Sequence, residues 1–451
     1  MTGNPEFRRN IWLEVTPNRM IGMPLVLFAL FFMAYVSDDN RLATAVTSTA
    51  TGAFFVISLL WGTKLASESV MNEIRDHTWD GQRMSAISPW ALSWGKLFGS
   101  TIYTWYGALI CLAVAGLSAT EANIAGSVKS LLLLFLVGVL AQAVSLLASL
   151  MAIRKERKFN RSQTAAFLIL GLVATSPFFG AAFDSKSLVD WFGTHYERLD
   201  FVLGSLLCHT LWAIVGIYHL MRAELQMKNR PWVWYGFVFF LMGYIAGLFY
   251  SLPPVAAKPL GAASPSALAA YFTAVAVTYF MAFAERKDFL SLHVLFRLAS
   301  SGMWGRFLER SPRWILSFPI PVATGIALML FPRPPSAGAP AGLGWFVLAS
   351  IFFMARDFGI MLFCNLGKSA RRADMLTVLY LALLYGIVPS TLSAMGLETT
   401  IHLFWPGAGQ YAYLGTAASL LELLAVGWMV AIRWKMRISD METPAVSAVV
   451  S

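Results

Sequence analysis

The chain has 451 residues, of which 57% are hydrophobic and 13% charged, with a formal net charge of +10 and a mean hydropathy of +0.63. Soluble domains carry about 25% charged residues, whereas here apolar runs of about 20 residues, enough to cross a bilayer, recur along the whole length. A soluble globular protein is excluded, and an all-α polytopic membrane protein of about twelve transmembrane helices is expected.

The N-terminal MTGNPEFRRNIWLEVTPNR is polar and has no cleavable-signal pattern. Within it Phe7, Ile11 and Val15 recur at i, i+4 and i+8, with Glu6 and Arg9 opposite, as in an amphipathic helix lying in the membrane interface; Leu13 also falls on the polar side. Spans are expected at 20–36 and 43–66. Between the second and third spans lies a long polar segment, residues 67–96. Its first part continues the second span as helix. Asp80-Gly81 supplies a break. QRMSAIS forms a short helix with Met84 and Ile87 on one side, Pro89 restarts the chain, and Trp90 and Trp94 suit the headgroup level. The expected product is a short helix lying across the membrane face between two breaks, able to transmit a push.

This loop resembles the one after the second helix in permeases of the type 2 class of ATP-binding-cassette (ABC) exporters, which runs Glu, Gly, a Leu-rich stretch ending in Pro, then Gly-Lys. The matching residues are Glu73, Gly81, Pro89, Gly95 and Lys96, with Ser-Ala-Ile where Leu is usual. The N-terminal amphipathic segment is similar to the elbow helix that precedes the first span of the same family. The resemblance implies a cytoplasmic coupling helix, with Gln82, Arg83 and Met84 among its docking residues, that seats in a groove of a separate ATPase subunit. It covers roughly residues 1–110, and the chain continues far beyond the family's six spans.

Further spans are expected at 97–118, 130–153, 164–183, 200–221, 233–252, 266–284, 314–331, 343–363, 374–395 and 410–432. With the N-terminus placed in the cytoplasm, all of the 34 Lys and Arg residues lie inside except Arg41, Lys129, Lys186, Arg198, Lys258 and Arg333. That asymmetry meets the positive-inside rule and puts both termini in the cytoplasm. The basic excess, including RKERK at 154–158, is thus a topology signal, and no nucleic-acid surface is expected. No GxxxxGK[ST] phosphate loop occurs. The organisation read from this pattern is a six-span block at 1–222, a two-span linker at 223–284, and a four-span block at 285–451. The last block opens on a second amphipathic stripe, Phe289, Leu292, Phe296, Met303 and Phe307, with Gly302 placed to interrupt it. After two spans comes a short inner loop, NLGKSARRAD. A degenerate duplication, a six-span core with an extension, and chance similarity all fit this partial repeat.

Charges within the apolar runs are costly and must be partnered, protonated or facing water. Glu422 sits at the centre of the last span, where an interhelical hydrogen bond or a place on a translocation path accounts for it. Arg356-Asp357, and Lys64 with Glu68 at i, i+4, read as internal ion pairs near the inner interface. Gln142 and His209 are mid-span polar residues of either kind. The three cysteines, Cys111, Cys208 and Cys364, lie far apart in or beside spans, and neither they nor the 6 histidines make a metal or catalytic constellation.

The resemblance makes the chain a permease subunit of a bacterial-type exporter in the cytoplasmic (inner) membrane. It would be a transport subunit rather than an enzyme, binding no cofactor itself. ATP and Mg would act in the partner ATPase, and the chain would work as a homodimer or as a pseudo-dimer of its halves. Two alternatives stand beside it: a proton-coupled twelve-span secondary transporter with Glu422 as carrier, and an integral-membrane lipid-modifying enzyme using the Asp76/His77/Asp80 group.

Overall fold

The computed structural model describes residues 3–37, 42–85, 87–118, 124–155, 161–183, 187–253, 263–330, 342–367, 372–406 and 412–442. Ala86 of the expected short helix, Glu156 to Lys158 of the basic run, Lys368 to Arg371 of the inner loop, and Arg41, Lys186, Lys258 and Arg333 fall outside them. The chain divides into two compact units. The first takes residues 1–189 and 195–229, and the second takes 190–194 and 230–451.

In the first unit, Asn4 starts helix α1, Pro5–Glu14: its side-chain oxygen accepts from the Glu6 and Phe7 amides, and Pro5 stands at the first position, where its missing N–H is no loss. Thr16-Pro17 ends it, and α2, Pro17–Ser37, follows. Next come α3, Leu42–Phe54, a π-helical stretch Phe55–Gly62, and α4, Thr63–Arg75, which together make one long span. The loop supplies two short helices, α5, Trp79–Met84, and α6, Pro89–Trp94. A second π segment, Gly95–Gly99, leads into α7, Ile102–Ser118, with a bend of 54° at the join. Then come α8, Ile124–Lys155, α9, Arg161–Phe183, and α10, Arg198–Glu224.

Helix α8 is central, flanked by α4, α9 and α10; Leu133, Val137, Ala143, Leu146 and Leu150 are fully buried along it. Gln142 lies in the middle of that core, also fully buried. Its amide donates to the Ser58 carbonyl at 3.1 Å, and its oxygen accepts from Trp105 Nε1 at 2.9 Å. Ser58 belongs to the π stretch, where altered backbone pairing frees carbonyls for such partners. A Cβ on Gly62 would stand 2.4 Å from the Gln142 amide nitrogen, so the bare glycine is what admits this side chain. Gln142 is thereby a structural tie between three helices.

The second unit holds α11, Trp232–Leu248, α12, Pro265–Ala284, α13, Phe289–Ser300, α14, Trp304–Arg310, α15, Arg313–Ser317, and α16, Pro319–Leu330. It continues with α17, Gly342–Asn365, α18, Ala373–Ala382, a third π segment Leu383–Ile387, α19, Val388–Ala394, α20, Glu398–Ile401, and α21, Ala412–Glu442. Helix α17 is the buried axis, packed against α21, α16 and α18. Its C-terminal carbonyls are capped from α21: Arg433 donates to Phe363 O, and Arg437 to Leu366 O and Gly367 O. These guanidinium groups also complement the negative helix end. Helices α11 and α12, within the two-span segment 223–284, pack with this unit's later helices, Val238 and Met242 with Ala274 and Ile320, and Tyr271 with Leu328 and Val347. The second amphipathic segment breaks at Gly302, whose φ is +70°.

Among the described residues nine helices are long and apolar enough to cross a membrane, or ten if the bent pair 89–118 is one span. The chain is therefore an all-α, membrane-embedded protein. Two of the twelve expected spans, 164–183 and 233–252, coincide with shorter apolar helices, Gln163–Phe179 and Trp232–Leu248. Among the described residues one feature departs from all-α: strands β1, Leu188–Trp191, and β2, Thr194–Glu197, form a hairpin. Phe192 and Gly193 both have positive φ at its tip, as a two-residue hairpin turn requires.

Replacing Gln142 by Leu leaves the Ser58 carbonyl and the Trp105 indole N–H without partners in the core, at about 1–3 kcal/mol each. Thermal unfolding in detergent should show a clear loss for Gln142→Leu; a midpoint equal to that of the unmodified protein would refute the tie.

Candidate functional site

The expected loop motif and the N-terminal helix meet at one buried charge cluster. Lys96, in the second π segment, is 1% exposed. Its ammonium lies 2.7 Å from Glu6 Oε1 and 2.5 Å from Glu73 Oε1. Arg9 pairs with Glu6 at 3.2 Å and with Glu73 at 2.9 Å. Gln82 donates to Glu73 Oε1 at 2.6 Å, and Asn10 donates to Glu6 Oε1 at 3.1 Å. Glu6, Glu73 and Lys96 are buried and Arg9 closes the cluster from its exposed edge; two carboxylates and two cations balance, which is the condition for burying such charges. Burial opposes the charge on Arg9, but Glu6 and Glu73 more than compensate and hold its pKa above the ordinary arginine value.

Backbone contact seats the same helix. Asn4 donates to the Ala91 carbonyl at 2.8 Å while capping α1. A Cβ on Gly95 would stand 2.7 Å from Glu6 Cγ, and one on Gly99 3.1 Å from Asn10 Cβ. Glycines four residues apart thus form a groove that receives α1. Glu6, assigned by the stripe to the polar side, is buried against protein, while Trp12 and Leu13 are exposed. The wheel identified the helix but not which face meets the protein, because Lys96 makes a home for a carboxylate there.

The loop is built differently from its sequence expectation. Asp80 and Gly81 lie inside α5, not at a break; the break is at Asp76 to Thr78, where His77 has φ +57°. The helix spans Trp79–Met84 rather than starting at Gln82, and Ile87 lies beyond it, half-buried against the core. Trp79 anchors α5 from below, buried in the core. Pro89 does restart the chain, at the first position of α6, with Ser88 as cap. Arg83 turns inward, donating to the Glu224 carbonyl at the end of α10 at 3.1 Å and pairing with Asp80. Asp80, Gly81 and Met84 face outward; Met84 is 89% exposed. Asp76 and His77 are exposed as well. Among the described residues no group of three or more His, Cys, Asp and Glu could hold a metal ion.

A second charge cluster occupies the other unit. Arg356 and Asp357 of α17 are essentially unexposed. Arg356 donates twice to Asp357 Oδ1, at 2.9 and 2.7 Å, and also pairs with Glu422 of α21. Asp357 Oδ2 accepts from the hydroxyls of Tyr279 on α12 and Tyr385 in the third π segment, at 2.6 and 2.7 Å. The guanidinium also lies 4.5 Å from the Phe353 ring centroid and 5.2 Å from that of Tyr385. Four segments converge on one Arg-Asp pair. Sequence reading pairs Arg356 with Asp357, as the structure does, but does not join Glu422 to them, and it misses Tyr279 and Tyr385. The signal for these two was tyrosine inside apolar runs, where a buried hydroxyl needs a partner.

The other intramembrane polar residues named from the sequence, Lys64, Glu68 and His209, have local partners. Lys64 and Glu68 are 3.9 Å apart and partly exposed. His209 Nδ1 contacts the Ser205 carbonyl at 2.7 Å, and its ring packs on Phe178. No protein-family model, curated protein or solved structure matches the chain.

Lys96→Met should strand two carboxylates beside one arginine and destabilise the first unit by about 3–5 kcal/mol, with proteolysis appearing near the α1–α2 junction; Lys96→Arg should be milder. Unchanged unfolding and proteolysis in Lys96→Met would refute the clamp. In the second cluster, Asp357→Asn removes the charge that balances the buried Arg356 and turns one of two acceptor oxygens into an amide donor, facing either two guanidinium N–H groups or two hydroxyls; Glu422→Gln, at a partly exposed position, keeps an acceptor for Arg356. Asp357→Asn should therefore lower the yield of folded protein far more than Glu422→Gln, and the reverse order would sink this assignment.

Proposed function

We propose that the chain is the membrane subunit of an ABC exporter. It would sit in a bacterial-type inner membrane with both termini cytoplasmic, and work with a separate cytoplasmic ATPase that binds ATP and Mg. The observation that carries this reading is the clamp between α1 and the loop. The two segments that resemble the family's elbow and coupling helix are joined through Glu6, Arg9, Glu73 and Lys96. A push on α5 reaches Glu73 through Gln82, then Lys96 at the foot of the bent α6–α7 pair. It also reaches α10 through Arg83. A rigid loop connected at both ends to membrane helices is what rigid-body coupling needs.

The face left for the ATPase is the outward one, Asp80, Gly81 and Met84. Gln82 and Arg83, also expected to dock, serve the loop's own attachment. The transported substrate is moved by the bundle, singly or as a homodimer or pseudo-dimer, with no bond chemistry in this chain.

One observation favours a proton-coupled transporter as a second reading. Arg356 faces two carboxylates, Asp357 and Glu422, so the fully ionised cluster carries one net negative charge. Asp357 has four donors, whereas Glu422 meets only Arg356 within this cluster and is partly exposed.

Met84→Asp tests the first reading. An exposed apolar anchor central to a protein interface is worth about 2 kcal/mol, so the affinity for the proposed Walker-motif ATPase subunit should fall about thirtyfold, with unfolding unchanged. Transport in vesicles driven by a proton gradient, with no ATPase bound, would decide for the second reading.

A further inference from the structure

The second unit contains a groove of about 570 Å³ that the clamp and the buried clusters do not use. Its walls are apolar: Trp314 and Phe318 on one side, Phe358 and Gly359 of α17, and Gly427 and Val430 of α21. The volume falls within the roughly 300–1,000 Å³ typical of ligand pockets. Within a membrane-embedded unit, an open apolar groove between helices is in contact with acyl chains.

The chemistry at one part of the groove is different. Phe307 and Leu308 of α14 contribute to the lining, and the same short helix carries Arg306 and Arg310, both exposed. Neither arginine has a carboxylate partner among the described residues; Arg306 reaches only the Met303 sulfur, at 3.8 Å. Arg297 is exposed on the adjoining α13, and Glu309 is the acidic residue of α14, so the exposed charge of this segment is positive. Exposed Leu290, Phe296 and Trp304 accompany these charges. Apolar residues with arginines, broken by Gly302, are the composition of a segment lying at the headgroup level.

We propose that this groove binds one anionic phospholipid, with an acyl chain along Trp314, Phe318, Phe358 and Gly427 and the phosphate held by Arg306 and Arg310. A zwitterionic lipid would offer the same chain but would place a choline beside the arginines, so the charge, not the chain, decides the preference. The proposal does not depend on an ATPase partner.

Gly427 makes the test direct, because a Cβ there meets nothing within 4 Å; a larger side chain enters the groove rather than the core. The purified full chain would be titrated with phosphatidylglycerol or phosphatidylcholine and the bound lipid counted by native mass spectrometry. One phosphatidylglycerol should be retained in preference to phosphatidylcholine. Gly427→Phe should lose it while unfolding at the same temperature. Arg306→Gln with Arg310→Gln should reduce the preference about thirtyfold, as removing two charges from a lipid surface does. Equal retention of both lipids by the unmodified protein, retention of phosphatidylglycerol by folded Gly427→Phe, or an unaltered preference in the arginine variant would overturn the proposal.

Discussion

A bilayer offers no water to a buried charge, so each ionised side chain within the helices needs protein partners that arrive from other parts of the chain. Lys96 is where this constraint organises the first unit. It stands at the foot of a bent helix pair and draws one carboxylate from α1 and another from α4. Those two carboxylates in turn fix Arg9, Asn10 and Gln82. The position of the N-terminal helix and the attachment of α5 both follow from one ammonium group. Arg356 has the same place in the second unit, gathering α12, α17, α21 and the third π segment around itself and Asp357.

The three π segments among the described residues each coincide with buried polar chemistry. Phe55–Gly62 offers the Ser58 carbonyl to Gln142; Gly95–Gly99 contains Lys96; Leu383–Ile387 contains Tyr385. A π turn rotates the side chains that follow it and releases a backbone carbonyl, so it can aim a polar group where regular 3.6-residue spacing would not. In lipid-embedded helices such a distortion persists only when the freed groups are satisfied, and here side chains from neighbouring helices do so.

Hydropathy made the helical membrane architecture legible, along with the places of most spans, because a helix of about 20 apolar residues matches the thickness of the hydrocarbon core. The loop residues Glu73, Gly95 and Lys96 were legible as a motif, and the structure gathers them at one point. What the sequence could not convey was direction. Glu6 reads as solvent-facing on a helical wheel, yet it is buried, because its partner lies 90 positions later. Asp80-Gly81 reads as a break, yet the chain turns at His77. Periodicity reports one helix at a time, whereas burial of charge depends on where other helices stand. The hairpin at 188–197 is hidden among long apolar runs, with Gly193 between two short stretches its one local sign.

The clamp at Lys96 also imposes an order on biogenesis. Glu6 and Arg9 leave the ribosome first and Glu73 follows after two spans, while Lys96 appears only at the threshold of the third. Until then the nascent chain holds two acidic side chains against one arginine, and the groove at Gly95 and Gly99 that seats α1 does not yet exist. Docking of the N-terminal helix therefore reports that the chain has reached the threshold of the third span. The first helix made waits for a residue added 90 positions after Glu6.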